Sequence, residues 1–370
     1  MGDQGTKKPR HRARRVLIIA LIVLVALYTV GGWALSSWLY RDSLARNDLD
    51  KSTVFVTELH YGDIDHTRYP RSEFRFDSGE NELVGYDYGE RNTRGLIVIS
   101  SGAPGGTGDD YMSFATRFID DGYRVITYDK TGTAQSGGDG QRGVYQGALD
   151  MDALLTHIES QNRYDDLPVY LLGHSWGGYG VCAALINPHR VNAVISMAGY
   201  NDGSDVVALQ GVEVAGAGFY LLYPHLWLIQ KMTFGPAMDV SAIDGINATD
   251  IPVLVIQGAN DEAITADGIS IYAHRDEITN AATEFLLTDG DHEYPCASED
   301  ARRYQSQTQE SWAVFEQRPE IKADLESNDM ERIQSPKEQF AREIDFDKPL
   351  YNQLDESIIE RIEALFDQTR

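Results

Sequence analysis

Cysteine is nearly missing from this chain: Cys182 and Cys296 are the only two in 370 residues. Two thiols cannot build a disulfide scaffold, and alone they cannot close a zinc site. Whether they bridge each other depends on the fold, and two separate thiols are the plainer expectation. Positive charge is also scarce, with 32 Lys and Arg against 57 Asp and Glu and a formal net charge of −25. Six basic residues against Asp3 put +5 on residues 1–15, so the remainder carries −30. A domain this acidic will neither hold nucleic acid nor lie flat on anionic lipid. No internal repeat at a fixed period is present.

Residues 16–40 carry no charge at all. The run is longer than the ~20 apolar residues a helix needs to cross a bilayer, and Tyr28, Trp33, Trp38 and Tyr40 crowd its far half as an interfacial belt. A basic flank first means the N-terminus inside and everything after Arg41 outside the cytoplasm. A cleaved signal peptide competes with this reading. However, the run exceeds the usual core of about 7–15 residues, and Trp33-Ala34-Leu35-Ser36-Ser37 offers no small-x-small cleavage site. The expected organisation is a basic cytoplasmic tail (1–15), an uncleaved signal anchor (16–40), a stalk (41–70) with a short strand candidate at Thr53-Val54-Phe55-Val56, and a folded domain (71–370).

Within that domain, alternation either side of Ser78-Gly79-Glu80-Asn81 predicts an antiparallel hairpin. Apolar runs at 95–100, 123–128, 167–172, 191–196, 251–257 and 284–287 alternate with helical stretches, as in a mostly parallel sheet covered on both faces. The run at 167–172 leads into Gly173-His174-Ser175-Trp176-Gly177 and then into apolar residues at helical density. A strand turning straight into a helix leaves no room for a Cβ two residues before or after the turn, hence the two glycines. Ser175 is expected at the tip of the turn, strained, with its hydroxyl exposed above the carboxyl end of the sheet and its backbone at a helix N-terminus.

These residues resemble the nucleophile elbow of the α/β-hydrolase fold. The resemblance covers about residues 70–295 and the amphipathic last helix, and implies a mostly parallel sheet flanked by helices, with the order nucleophile, acid, histidine. Gly258-Ala259-Asn260-Asp261, at the end of an apolar strand, is similar to the turn that carries the family's acid. Asp289-Gly290-Asp291-His292-Glu293 falls where the family places its histidine. The resemblance therefore implies Ser175 as nucleophile, His292 as base and Asp261, not the adjacent Asp291, as orienter. It implies backbone N–H groups of Trp176 and Ala103 as the oxyanion hole. Ser101-Gly102-Ala103-Pro104-Gly105-Gly106 resembles the His-Gly-Gly-Pro-Gly-Gly loop of proline iminopeptidase-like members, with Ser101 and Ala103 replacing His and Gly, so the loop's anchoring is an open point. Residues 129–136 resemble a structural turn of the family. His174, beside the serine, is expected to point away.

About fifty residues between 201 and 250, rich in aromatics, interrupt the sheet order and resemble the family's lid. An extra packing layer is the alternative. Residues 297–350 read as an acidic helical insertion without an assigned role. Together these features predict a membrane-anchored serine hydrolase that cleaves an ester or amide of a small-molecule or short-peptide substrate through an acyl-enzyme, with no cofactor or metal implied. An aminopeptidase of the proline iminopeptidase type is the rival within enzymes, with Asp202, Asp205 and Glu213 as candidates to hold a substrate ammonium. A surface binding protein that keeps the fold without turnover is the rival from outside.

Overall fold

The computed structural model describes residues 9–47, 57–103, 106–327 and 330–369. The strand candidate at 53–56 and the Pro104-Gly105 pair lie outside the described residues. A first helix, α1 (Pro9–Ser43), takes up the uncharged run and is long and apolar enough to cross a membrane. The hairpin follows as β1 (Arg71–Ser78) and β2 (Asn81–Tyr88), paired antiparallel, with Gly79 at a φ of 60° in the two-residue turn. Then come β3 (Leu96–Ser100), α2 (Met112–Asp120), β4 (Arg124–Tyr128), α3 (Gln146–Glu159), β5 (Val169–His174), α4 (Trp176–Ala183) and β6 (Ala193–Met197). Three helices, α5 (Gly203–Ala215), α6 (Tyr223–Phe234) and α7 (Ala242–Asn247), separate β6 from β7 (Val253–Gly258), and β8 (Thr283–Thr288) follows.

These strands form one sheet in the order β1-β2-β4-β3-β5-β6-β7-β8, parallel throughout from β4 to β8. Every residue of β3, β4, β5, β6 and β7 is buried, which explains why their sequences are continuous apolar runs and not alternating ones. Side chains still alternate between the two faces. Leu171 joins a core cluster with Tyr145, Trp176 and Val194, whereas Tyr170 and Leu172 join a second cluster with Ile195, Ile256 and Phe366. Cys182 belongs to the first cluster and Cys296 to the second, so the sheet stands between the two free thiols.

Past the sheet run α8 (Glu299–Phe315), α9 (Pro319–Leu325), α10 (Met330–Glu343), α11 (Lys348–Tyr351) and α12 (Glu356–Asp367). Phe315, Ile321 and Phe340 form a small core of their own among the first three of these. The last helix buries Ile358, Ile359, Ile362, Leu365 and Phe366, and the Phe366 ring stacks on Tyr170 at 4.1 Å.

The described parts of the segment read as a stalk, 41–47 and 57–70, are packed against the domain. Leu44 O accepts from Gln141 N, Asn47 N donates to Gly132 O at 2.9 Å, and the Arg46 guanidinium donates to the carbonyls of Ser136 and Gly138 at 2.7 and 3.0 Å. Leu59, Tyr61 and Ile64 pack onto the second core cluster. Short polar stretches of this kind carry their docking in backbone and guanidinium hydrogen bonds, which leave no periodic apolar pattern in the sequence. The helix itself is also engaged: the Tyr28 ring meets His225 of α6 edge-on at 4.9 Å, and Ser36 is fully buried with Oγ 3.5 Å from Leu222 O.

Packing at the elbow is tight enough to test. A Cβ at Gly177 would lie 2.0 Å from Ser100 O, while one at Gly218 would meet nothing within 4 Å. Gly177→Ala should destabilise by about 1–3 kcal/mol or more, as overpacking against immobile backbone does. Gly218→Ala should leave the thermal midpoint unchanged, and equal midpoints for the two variants would contradict the packing described.

Candidate active site

At the end of β5 the chain reverses into α4 through Ser175, whose φ of 53° and ψ of −114° lie outside the regions open to ordinary L-residues. Close approach of three backbone segments holds it there. A Cβ at Gly173 would meet Gly177 O at 2.2 Å, and Ser175 N–H donates to Met197 O at 2.8 Å. Contrary to the sequence expectation, Ser175 is buried, with 9% of its surface accessible.

The loop after β8 brings His292 Nε2 to 3.0 Å from Ser175 Oγ. On the other side of the ring, His292 Nδ1 lies 2.9 Å from Asp261 Oδ2, contributed by the turn after β7. A carboxylate accepts, so Nδ1 carries the proton and Nε2 is left to accept from the serine hydroxyl. Asp261 is fixed by three further donors: Gln257 Nε2 at 2.8 Å on Oδ2, and the N–H groups of Ala263 and Ile264 at 3.0 and 2.7 Å on Oδ1. Asp291 instead turns back on its own loop, accepting from Tyr294 N at 2.8 Å. Burial works to lower the His292 pKa, but the hydrogen bond and charge of Asp261, with the charges of Glu293 and Asp291, outweigh it and raise the pKa above 6.5.

Gly102 packs against the serine, since a Cβ there would come within 3.4 Å of Ser175 Cβ. Its N–H donates to Tyr111 Oη at 3.2 Å. Among the described residues, neither the Trp176 N–H nor the Ala103 N–H donates to a protein acceptor. The Trp176 indole is tied down through Nε1 to Val144 O at 2.7 Å.

Two features went unseen in the sequence. His174 does not point away: its Nε2–H donates to His292 O at 2.6 Å, and Tyr111 Oη is hydrogen-bonded to its Nδ1. Tyr111 thus joins Gly102, through His174, to the backbone of His292. Burial first, and nearby carboxylates second, raise the Tyr111 pKa far above 10, which keeps its hydroxyl a donor. A φ of 62° at Tyr111, unusual for an aromatic residue, was the geometric cost of aiming it, and no motif announces it. The second feature is Lys130, completely buried, with Nζ bonded to Ser101 O and 3.1 Å from Ser100 Oγ, above the Trp176 ring at 5.2 Å. It anchors the start of the loop after β3. Asp129, beside it, accepts from Gly108 N and Gln135 N and from Tyr86 Oη, and burial raises its pKa to about 6.

A cavity of about 330 Å³ opens beside Gly102 and Ala103, lined by the carboxylates of Glu58, Asp291 and Glu293 and by the rings of Tyr111, Phe114, Tyr294 and Tyr351. None of Asp202, Asp205 and Glu213 lines it. Asp202 caps α5 by accepting from Ser204 N at 2.6 Å, and the other two are exposed. At the edge of this region the ligand atoms of Glu58, His60 and Asp110 lie within 4.8 Å of one another, with His60 Nδ1 3.5 Å from Asp110 Oδ1.

Residues 91–242 match the family model described as serine aminopeptidase, S33. The chain is 30% identical over 127 residues to an uncharacterised 31.7 kDa Escherichia coli protein from the traX-finO intergenic region, covering 34% of this chain and 44% of that one. It is 27% identical over 135 residues to the quorum-quenching protein AidA of Acinetobacter baumannii (strain MDR-ZJ06), covering 35% and 44%. The chain thus spans less than half the length of these relatives. Among solved structures, the Pyrococcus furiosus esterase Pf2001 is similar with a TM-score of 0.49 and 15% identity, over 68% of this chain and 91% of that one. The sheet order and the match over residues 91–242 are those of an α/β-hydrolase fold.

Because the three acidic neighbours raise the His292 pKa, an Asp291→Asn, Glu293→Gln variant should titrate at lower pH than the parent, whose midpoint should lie above 6.5. NMR of histidine-labelled protein reads both. A parent midpoint below 6.5, or no shift in the variant, would contradict the electrostatics described.

Proposed function

We propose that this protein is a membrane-anchored serine hydrolase that cleaves an ester or amide through an acyl-enzyme. The observation that carries the reading is the unbroken hydrogen-bonded series from Asp261 through His292 to Ser175 Oγ. In it, Ser175 Oγ attacks the substrate carbonyl as its proton passes to His292 Nε2, and the resulting imidazolium is supported by Asp261. The oxyanion is met by the N–H groups of Trp176 and Ala103 at the positive end of α4. The tetrahedral species collapses as His292 returns the proton to the departing alcohol or amine. Water then repeats the sequence on the acyl-Ser175 ester, releasing the acid and restoring the serine. No step calls for a cofactor. The insertion over α5 to α7 is read as a lid, and α1 as a signal anchor with its basic end inside.

The cavity beside Gly102 favours, as a second reading, an aminopeptidase: three carboxylates among four aromatic rings suit a substrate ammonium group. In that case the acids of the lid region are not the ones that hold it.

Ser175→Ala should abolish labelling by a fluorophosphonate probe and lower turnover by about three orders of magnitude or more. Labelling and turnover unchanged in that variant would end the proposal, and a parent protein that never labels would favour a binding protein on this fold. p-Nitrophenyl esters beside aminoacyl amides separate esterase from aminopeptidase. Asp261→Asn should cost about 10⁴ in turnover at neutral pH, by precedent for an orienting carboxylate. Asp291→Asn should remain within a few-fold of the parent, and the reverse order in folded variants would reassign the acid. The acid limb of kcat/KM should follow His292, activity falling as pH drops through its raised pKa, because only the neutral imidazole accepts the serine proton. The anchor is tested by a carbonate wash, which should leave the protein in membranes, and by external protease, which should digest the domain.

A further inference from the structure

As a membrane anchor, α1 would fix the depth of the helices packed against it. Arg15 is the last basic residue before the uncharged run, and the first described contact of α1 with the insertion, Tyr28 on His225, comes thirteen residues later. At 1.5 Å per residue that rise is about 20 Å, whereas the hydrocarbon layer is about 30 Å thick. Tilting α1 only shortens the rise along the membrane normal. With Arg15 at the inner boundary, His225, packed between the levels of Tyr28 and Gly32, lies roughly 5–10 Å below the outer one. The contact is close: a Cβ at Gly32 would come within 2.6 Å of the His225 ring, and Ser36 is buried against Leu222.

The surface of the insertion matches that depth. Residues 214–230 contain no Asp, Glu, Lys or Arg, in a chain otherwise dense in carboxylates. Val214, Tyr220, Leu221, Trp227, Leu228 and Met232 are all exposed, Val214 at 89% and Met232 at 72%. A soluble surface rarely presents so many large apolar side chains together. The two arms Gly203–Leu221 and Tyr223–Asn247 are together apolar enough for a membrane but meet at 103°, so they form a wedge and not a straight second crossing.

We infer that the α5–α6 insertion is seated in the bilayer leaflet nearest the domain, beside α1, with its apolar face covered by lipid acyl chains. The inference rests on α1 spanning the membrane. The acidic surface of the domain does not oppose it, because the seated stretch is the one from which charge is missing.

Site-directed spin labelling of the full chain tests it, since both native cysteines are buried. Nitroxides are placed at Leu221→Cys and Met232→Cys, with Tyr220→Cys and Leu228→Cys as a second pair. Leu24→Cys in α1 serves as lipid reference and Val314→Cys, 76% exposed on α8, as aqueous reference. Each variant, checked for folding by circular dichroism, is reconstituted in phosphatidylcholine vesicles, and collision with oxygen is compared with collision with a water-soluble nickel chelate. The insertion labels should show an oxygen-to-nickel ratio several-fold above that at 314 and approaching that at 24. Insertion labels matching 314 while 24 remains lipid-like would overturn the inference and leave the anchor standing. A water-accessible label at 24 would overturn both.

Discussion

The backbone conformation at Ser175 is the constraint around which the sheet is arranged. A φ of 53° on a residue with a side chain costs on the order of 1–3 kcal/mol and persists only where the surroundings over-determine it. Here β5 and α4 are pressed so close that Gly173 and Gly177 have no space for a methyl group, and β6 takes up the Ser175 N–H through Met197 O. Relaxing the turn would separate α4 from Ser100 and Ser101, and so move the loop that follows them as well. The strain is maintained by close-packed backbone, which cannot adjust by changing a rotamer.

From that point the neighbouring loops are held by one another. Gly102 lies on the serine and donates to Tyr111, which bonds His174, which donates to the carbonyl of His292. Lys130 secures Ser101 from beneath. The loop carrying Ala103, one of the two proposed oxyanion donors, and the loop carrying the proposed base are therefore joined by a buried polar path that does not pass through the reacting atoms. Low local dielectric makes such a path rigid when every member is satisfied.

Most of the sheet was legible in the sequence because β3 to β7 bury both faces and read as unbroken apolar runs, while the hairpin shows as alternation. The elbow was legible because sterics demand its two glycines. Asp261, at the end of its own strand, is hydrogen-bonded to His292, while Asp291 caps its own turn. What could not be read were contacts between residues far apart in the chain that obey no period. Tyr111 and His174 are 63 positions apart, and Lys130 looked like one charge in a structural turn. Ser175 was expected at an exposed tip, but the loops after β3 and β8 lie against it. The stalk failed for a related reason, since hydrogen bonds from residues 44–47 to the turn at 132–141 leave no trace in hydrophobic patterning.

The docking of α1 on α6 also sets an order of events during synthesis. Tyr28 emerges from the ribosome almost two hundred residues before His225, and the partners of Arg46 follow it by about ninety. The domain therefore completes itself around a helix made before it. The contact between Tyr28 and His225 therefore waits for the insertion to be made, long after α1 is complete.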